Sequence, residues 1–428
     1  MSSLFEKIRS VPFGVLWRTA LVRLPRAVPL SVLRFTSPQG PHPFVFNLPS
    51  RNKSYTIPLY IFVPDQFYHN LPEHGAPVLV DFHGGGFYLG SCMEQAPFCS
   101  QIARDMQAIV ITVDYRMGPF HGFPAAIEDG EDVLNAILDP QSPGYQPLRQ
   151  AISARIEQER AKMQMHGAAA VHAEEQRQFQ DGQIQEVHPP PKPVAKVAGS
   201  AFHFDLHKLA VSGFSSGGNL ALNLALHIRP PELPEEWPSV FDQDHPAPIP
   251  FLLFYPSFDL RQLPSQRSRP AAMMASSPFW TQVADSLAPT YADRNQTHHP
   301  RVSPGLASLE SIHPAVRMFL VLCELDTLAE QSKQWVHKVK AHPRADDLVV
   351  EEVDGAKHGW TQMPDGWLTE QERQAKQVCF AQAQAFITWA WQGSPAESKP
   401  SDNNVARQQT STRTSSQPQE SQQTQQQT

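Results

Sequence analysis

Cysteine is scarce in this sequence, and the four cysteines are scattered along 428 residues without a C-x-x-C pair. A small secreted domain built on disulfides would show a denser cysteine pattern. A chain of this length can bury enough apolar surface to fold without cross-links. The cysteine content therefore favours a protein of a reducing compartment, and we predict a cytoplasmic location.

Charged residues and long apolar runs are also sparse. Only 18% of the residues are charged and the net charge is −7. This balance argues against a nucleic-acid partner, because such a partner requires a basic surface. No apolar run approaches the roughly 20 residues that span a bilayer. Two N-x-S/T sequons, at Asn52 and Asn295, are too few to indicate secretion.

The most informative segment that is present reads GFSSG, at residues 213–217. An apolar run at 209–211 precedes it, and apolar residues at helical spacing follow it over 220–228. A G-x-S-x-G motif between a strand and a helix presents the hydroxyl of its serine at the edge of a sheet. We therefore predict that Ser215 is a nucleophile and that the N–H of Ser216 lies at a helix start that favours an anion.

A second motif, HGGGF at residues 83–87, directly follows the strand-like run 77–82. Three successive glycines leave the loop without Cβ atoms, so its N–H groups can converge on a developing oxyanion. We predict that the backbone of Gly84, Gly85 and Gly86 contributes to this oxyanion hole. A flexible linker is the alternative, but aromatic residues rather than serines flank the run.

A serine nucleophile needs a histidine as its base and an acidic residue that orients the histidine. When the serine lies on such a strand-to-helix turn, the three residues follow the chain order serine, acid, histidine, and this order selects the candidates. His358 follows the strand-like run 348–353 and has glycines nearby on both sides, which distinguishes it among 18 histidines. Asp326 follows the apolar run 316–323, at the carboxyl end of a predicted strand, where ligands bind in α/β sheets. A helix cap is the alternative role for Asp326, and Glu324 is the second candidate for the acid.

Six segments together resemble the hormone-sensitive-lipase branch of the α/β-hydrolase superfamily, whose members are also called HGGG esterases. The segments occur in the family's order: HGGGF at 83–87, DYR at 114–116, FPAAIED at 123–129, GFSSGGNLA at 213–221, ELDTL at 324–328 and KHGW at 357–360. The resemblance spans about residues 40–390. It implies an α/β-hydrolase fold and the hydrolysis of carboxylic esters.

The sequence departs from the family within these motifs and between them. Phe214 stands where the family often has an acidic residue, Ser216 where it often has alanine, and Thr327 where it often has proline. The distance from His83 to Ser215 is longer than usual in the family, which implies an insertion.

The wider pattern predicts strands that alternate with helices, as in a mostly parallel sheet covered by helices on both faces. Predicted strands lie near residues 43–48, 56–63, 77–83, 108–114, 207–213, 250–255, 316–323 and 347–353. Predicted helices lie near residues 94–106, 125–139, 217–228, 279–291, 329–341 and 370–391.

We expect one α/β-hydrolase catalytic domain over residues 41–392. Residues 140–205 are predicted to be a flexible insertion with a mobile, solvent-exposed helix and a proline tether. Residues 260–310 are predicted to be a second segment of a cap. The tail at 393–428 is almost wholly polar and cannot bury enough apolar surface to fold.

The first 35 residues carry six basic residues and a single acid. The resemblance implies that residues 1–40 form helices of a cap, and we expect Leu4, Phe5, Ile8 and Trp17 to cover the pocket. An arginine-rich, acid-poor amphipathic start also fits a mitochondrial transit peptide or a helix at a membrane surface. We favour the cap and place peripheral membrane contact second.

The assembled residues predict acyl transfer to water. His358 would accept the proton of Ser215 as the serine attacks an ester carbonyl, and Asp326 would orient the imidazole. We expect a small-molecule ester or a lipid as substrate, with no metal and no organic cofactor. The alternatives are an acyltransferase or dehydratase, a non-catalytic small-molecule receptor on the same fold and, more remotely, a peptidase.

Overall fold

The computed structural model describes residues 9–180, 202–274 and 277–393. These residues form one sheet of eight strands in the order β1-β2-β4-β3-β5-β6-β7-β8. β2 pairs antiparallel with both β1 and β4, and the other neighbours are parallel. The strands are β1 Phe44–Pro49, β2 Thr56–Phe62, β3 Ala76–Phe82, β4 Ile109–Val113, β5 Phe204–Phe214, β6 Ile249–Phe254, β7 Val316–Leu325 and β8 Leu348–Lys357.

Helices cover both faces of this sheet. Helices α3 and α9 contribute to the apolar cluster on one face, and helices α4, α5, α6 and α8 contribute to the cluster on the other. The helices are α1 Phe13–Arg23, α2 Leu33–Thr36, α3 Ala96–Met106, α4 Ala125–Leu138, α5 Tyr145–Gln180, α6 Ser216–Leu224, α7 Pro278–Leu287, α8 Ala329–Lys340 and α9 Glu370–Trp391.

Strand β6 shows why the apolar runs of the sequence become central strands. Phe251 and Leu253 belong to one apolar cluster, and Leu252 and Phe254 belong to the other; all four are fully buried. Successive side chains of a strand point to opposite faces, so a strand covered on both faces requires a continuous apolar run. Burying each such side chain is worth roughly 1.5–3 kcal/mol relative to leaving it exposed.

The predicted fold class is confirmed. Each predicted strand region coincides with an observed strand, and the sheet is mostly parallel with helices on both faces. The predicted helix at 217–228 is too long, because α6 ends at Leu224. Leu226 and Ile228 instead form isolated β-bridges with Ile312 and Trp237, so backbone pairing with distant segments replaces the last helical turn.

The insertion also differs from the prediction of a solvent-exposed helix. Leu148, Ile152 and Ile156 of α5 are buried in the core cluster, at the four-residue spacing that places them on one helical face. The guanidinium of Arg160 donates to the carbonyls of Phe67 and Tyr68, at 3.1 and 3.0 Å. The first part of the helix is therefore a structural element of the domain.

Several predictions fall on residues that the structure does not describe. These are the polar tail beyond Gly393, the proline run at 189–193, and Leu4, Phe5 and Ile8 of the N-terminus. Among the helices that the structure describes, none combines the length and the apolar character that crossing a bilayer requires.

Candidate active site

The strand order explains how distant motifs meet. From β3 the chain passes to β4 on one side, and later returns to β5 on the other side of β3. The carboxyl ends of β3 and β5 are therefore adjacent at a topological switch point, the usual position of a ligand site in such sheets. Phe82 pairs directly with Gly213. The segment that begins at His83 and the turn that carries Ser215 consequently leave the sheet side by side.

Ser215 occupies the sharp turn between β5 and α6. Its φ of 55° and ψ of −113° are strained for a residue with a side chain. A Cβ atom at Gly213 would lie 2.1 Å from the oxygen of Gly217, and a Cβ at Gly217 would lie 2.0 Å from the oxygen of Phe82. Glycine at both positions is what allows the turn to approach β3 this closely.

The predicted acid and base lie at the same edge of the sheet. Asp326 follows β7 and His358 follows β8, and these neighbouring strands pair as far as Leu325 and Lys357, the residues just before them. His358 Nε2 lies 2.9 Å from Ser215 Oγ, and His358 Nδ1 lies 2.7 Å from Asp326 Oδ2. The three side chains form a continuous hydrogen-bonded chain from a carboxylate to a hydroxyl.

The side chains in this hydrogen-bonded series differ in their exposure to solvent. Asp326 is only 3% exposed, whereas about a third of the His358 side chain is accessible. The second oxygen of Asp326 accepts a 2.8 Å hydrogen bond from the N–H of Leu328 at the start of α8. Asp326 thus contacts both the imidazole of His358 and the N–H of Leu328, the residue that precedes the first turn of α8.

Glu324, the second candidate for the acid, has a different position. Its side chain is exposed, and its Oε2 accepts a 2.7 Å hydrogen bond from the N–H of Gly355. The contact ties the end of β7 to the loop that leads to His358. The structure therefore brings Asp326, and not Glu324, to the imidazole.

The glycine loop lies beside the hydroxyl of Ser215. Gly85 and Gly86 have positive φ values of 125° and 60°, and both line the same pocket as Ser215. A Cβ at Gly84 would lie 3.3 Å from the Cβ of Ser215, which shows how closely the loop passes the serine. Ser216 is fully buried as the first residue of α6, so its N–H lies at the helix start. The predicted oxyanion-hole residues thus surround the serine.

A buried polar network holds the glycine loop from behind. His83 donates from Nδ1 to the carbonyl of Gly84 at 2.7 Å and stacks on Tyr115 with ring centroids 4.4 Å apart. The hydroxyl of Tyr115 donates to the carbonyl of His83 at 2.7 Å. The carboxylate of Asp114 lies 3.7 Å from His83 Nε2 and accepts two hydrogen bonds from Arg26.

The electrostatic balance in this network favours a charged Asp114. Burial disfavours its ionised form, but the neighbouring His83 and the positive charge of Arg26 outweigh the burial, and the pKa of Asp114 lies below its usual value. The sequence indicated that the DYR segment matters but did not identify its contacts. Arg26 was a missed functional candidate, because nothing local links it to a motif 88 residues away.

One group of side chains in the described ranges has the composition of a metal site. Ligand atoms of His83, Cys92 and Asp114 lie within 4.8 Å of one another. Both carboxylate oxygens of Asp114 are, however, hydrogen-bonded to the guanidinium of Arg26. A fixed positive charge at the carboxylate competes with a cation, so the arrangement fits an ion pair better than a metal centre.

A pocket of about 370 Å³ opens beside Ser215. Its size suits a small organic molecule. Its apolar wall includes Leu260, Met273, Ala284, Ala288 and Leu328. A larger cleft of about 740 Å³ lies beside Trp237 and His299, but its lining contains none of the three hydrogen-bonded side chains. Chemical groups rather than volume therefore mark the smaller pocket as the candidate site.

Besides Asp326 and His358, three acidic or basic residues of the described ranges line the pocket: Glu94, Arg267 and Arg294. Burial lowers the pKa of Arg267 and raises the pKa of Glu94. The Nε of Arg267 is shielded from solvent and makes no hydrogen bond within the described part of the chain. The pocket therefore combines an apolar wall with a small number of polar groups, as is typical of sites for small molecules.

The N-terminal segment is attached to the loop that forms one wall of the pocket. Arg23 donates to the carbonyls of Tyr88 and Gly118, at 2.9 and 2.6 Å, and Arg26 donates to the carbonyl of Gly90 at 2.9 Å. The prediction that Trp17 covers the pocket is wrong. Trp17 is 37% exposed and is not among the residues that line the pocket. Its ring stacks on that of Phe279 of α7, with the ring centroids 6.4 Å apart.

The sheet topology and the strained serine turn define the chain as an α/β protein that carries a serine on a sharp turn between a strand and a helix. A family profile described as the alpha/beta hydrolase fold matches residues 79–362. The chain belongs to this family, as its resemblance to the hormone-sensitive-lipase branch implied. The match covers the segments that carry Ser215, Asp326 and His358.

Curated relatives match over a short stretch. Carboxylesterase 20 of Arabidopsis thaliana is 44% identical over 70 residues, which is 16% of this chain and 21% of the relative. Esterase LipI of Mycobacterium tuberculosis is 52% identical over 54 residues, covering 13% of this chain and 17% of the relative. The matched stretch thus spans about a fifth of the length of these relatives.

Solved structures match over most of the chain. The esterase LipW from Mycobacterium marinum superposes with a TM-score of 0.54 and 20% identity, covering 89% of this chain and 91% of that one. An esterase of Pyrobaculum calidifontis gives a TM-score of 0.51 at 20% identity, covering 88% and 98%. At this level of identity the likeness establishes the fold.

Proposed function

We propose that this protein is a carboxylesterase-type serine hydrolase that cleaves small or medium-sized esters through an acyl-enzyme. The observation that supports the proposal most directly is the hydrogen-bonded chain from Asp326 through His358 to Ser215, with distances of 2.7 and 2.9 Å. Relatives named as carboxylesterases and esterases in plants and mycobacteria support the same reaction class.

In the proposed reaction, Ser215 Oγ attacks the ester carbonyl while His358 Nε2 accepts its proton. The carboxylate of Asp326 keeps the other ring nitrogen protonated and stabilises the imidazolium that forms. The N–H groups of Gly85, Gly86 and Ser216, with Gly84 beside them, receive the developing oxyanion. The imidazolium then protonates the leaving alcohol, and water repeats the sequence to release the acid.

The pocket wall is proposed to be part of a cap. Ala284 of α7 and Ala288, which follows the end of α7, line the cavity that contains Ser215. Val15 and Val22 of α1 pack against Val283 and Leu287 of α7. Residues 13–36 and 260–292 would then enclose the acyl group of the substrate. An apolar wall of this kind favours an apolar acyl chain, because each buried methylene contributes about 0.8 kcal/mol of binding free energy.

The intact base and acid argue against a non-catalytic receptor, which would have no use for an aligned proton acceptor. Hydrolysis and acyl transfer to another alcohol share the acyl-enzyme, so product analysis separates them. Release of free acid from a nitrophenyl ester in the presence of a competing alcohol supports hydrolysis. Predominant formation of a new ester would favour the transferase alternative.

The test of the proposal is covalent labelling of Ser215. A fluorophosphonate probe should modify this residue in the full-length protein, and Ser215→Ala should abolish labelling and lower ester turnover at least about a thousandfold. Ser54→Ala, a change at an exposed serine between β1 and β2, should behave as the unmodified protein. Normal esterase turnover by a folded Ser215→Ala protein would refute the assignment.

A further inference from the structure

Helices α1 and α7 together expose a group of aromatic side chains on the outside of the molecule. Phe13 and Trp17 of α1 are 81% and 37% exposed, and Phe279 and Trp280 of α7 are 47% and 52% exposed. The rings of Trp17 and Phe279 are 6.4 Å apart, and those of Phe279 and Trp280 are 5.1 Å apart. Phe13 lies one helical turn before Trp17. We call these four residues the aromatic patch.

Apart from the contact between the rings of Trp17 and Phe279, the packing between α1 and α7 uses other residues. Val15 and Val22 of α1 pack against the buried pair Val283 and Leu287 of α7. The aromatic patch therefore lies at the edge of this packing, where its four side chains stay partly or largely open to solvent. A contiguous group of large exposed apolar side chains is uncommon on a soluble surface and marks an interaction site.

The N-terminal part of the aromatic patch lies in a segment rich in arginine. Residues 9–36 contain five arginines and no aspartate or glutamate, although the net charge of the chain is −7. Around α7 the charges are more balanced, because α7 contains Asp285, and Arg261 pairs with Asp259 at 2.7 Å.

Arg23 and Arg26 of the N-terminal segment are directed into the structure. Arg18 lies over the ring of Trp17, with its guanidinium carbon 4.9 Å from the ring centroid, and it is only half-buried although it donates to the carbonyl of Gly14 at 3.0 Å.

The aromatic patch also lies next to the candidate active site. Trp280 stands one helical turn before Ala284, so these two residues share one stripe of α7. Ala284 and Ala288 line the pocket that contains Ser215. A surface that contacts Trp280 would therefore lie close to the wall of the pocket.

We propose that the aromatic patch and its flanking arginines form a docking surface for an anionic lipid interface. Tryptophan and phenylalanine insert favourably at the level of lipid headgroups, and arginine beside them attracts anionic headgroups. A second copy of the chain fits less well. A symmetric contact would place the arginines of α1 from both copies against each other, and Asp285, the one acid of α1 and α7, already accepts a hydrogen bond from the N–H of Ser265.

The experiment measures co-sedimentation of the full-length protein with vesicles of phosphatidylcholine, with and without phosphatidylserine. The protein should bind the vesicles that contain phosphatidylserine, and binding should weaken as salt is raised. Trp280→Ala and Trp17→Ala should each weaken the partitioning about tenfold, and Arg18→Gln should weaken binding to the anionic vesicles only. The circular dichroism spectrum and the melting temperature of each variant check that it is folded.

Trp367→Ala is the matched control, because Trp367 is 79% exposed but belongs to a distant part of the sequence after β8. It should bind vesicles as the unmodified protein does. Full-length protein that stays in the supernatant with both vesicle types would overturn the proposal, as would equal losses in Trp280→Ala and Trp367→Ala. Conversion of a dimer to a monomer by the patch variants, without vesicle binding, would assign the patch to a second copy instead. Ser215→Ala should still bind vesicles, so docking is tested separately from ester hydrolysis.

Discussion

Replacing Asp326 by asparagine tests the proposal that this carboxylate fixes the tautomer of His358. One carboxylate oxygen of Asp326 receives the Nδ1–H of His358 at 2.7 Å, and the other receives the N–H of Leu328 at 2.8 Å. An asparagine oxygen can keep the contact with Leu328. Its NH₂ group then faces Nδ1 of His358, which has to become an acceptor. The remaining ring proton moves to Nε2, where it faces Ser215 and prevents the imidazole from accepting the serine proton.

The expected loss follows from this change of tautomer. We expect kcat for a nitrophenyl ester to fall by about 10⁴, which corresponds to about 5.5 kcal/mol of transition-state stabilisation. Stability should change much less. Asparagine has the shape of aspartate and preserves the hydrogen bond to α8, so we expect a loss of about 1 kcal/mol or less in the free energy of unfolding.

Glu324→Gln is the matched control. It also replaces a carboxylate by an amide, two residues away, but Glu324 contacts the N–H of Gly355, and a glutamine oxygen can accept the same bond. The assay compares kcat/KM of both variants on one nitrophenyl ester and their denaturant midpoints. A crippled Glu324→Gln protein beside a nearly active Asp326→Asn protein would show that the acid has been misassigned.

Three further predictions concern the structure around the site. A chain starting at Ser37 should lose activity on soluble esters and melt at a lower temperature, because Arg23 and Arg26 no longer hold the glycine loop; wild-type kinetics would refute the cap and favour a removable targeting segment. Gly217→Ala should give little folded protein, because the added Cβ would lie 2.0 Å from the oxygen of Phe82. Gly366→Ala is the control: Gly366 is exposed and a Cβ there meets no atom within 4 Å, so this variant should have normal expression and melting temperature. Burial raises the pKa of Asp81 to about 6, so ionisation of this carboxyl destabilises the folded protein progressively as pH rises from about 4 to 6. Denaturant unfolding across this range should show that Asp81→Asn gains stability relative to wild type as pH increases, by up to about 3 kcal/mol. A difference in stability that does not change with pH would contradict the raised pKa.

Much of the fold could be predicted from the sequence, because the patterns that specify its strands and its serine turn extend over only a few residues. A continuous apolar run such as 250–255 specifies a strand buried on both faces, whatever its neighbours are. The serine turn is equally local, because the glycines at 213 and 217 are required by atoms a few residues away in sequence or on the adjacent strand. The order of the motifs then implied that Ser215, Asp326 and His358 would meet at one edge of the sheet, where the structure brings them together.

The sequence alone therefore determined the fold class and the choice of candidate residues, because both depend on short-range patterns that only one common topology accommodates. The tertiary structure decided which face of each peripheral helix is buried. Trp17 faces outward onto Phe279, and the first part of α5 packs into the core, because neighbouring elements that are remote in sequence supply the contacting surfaces. The pairing of Arg26 with Asp114 is of the same kind. A charged side chain can be hydrated by water or can pair with any of several opposite charges, so the sequence does not identify its partner. Only the folded arrangement shows that Arg26 pairs with Asp114 next to the glycine loop.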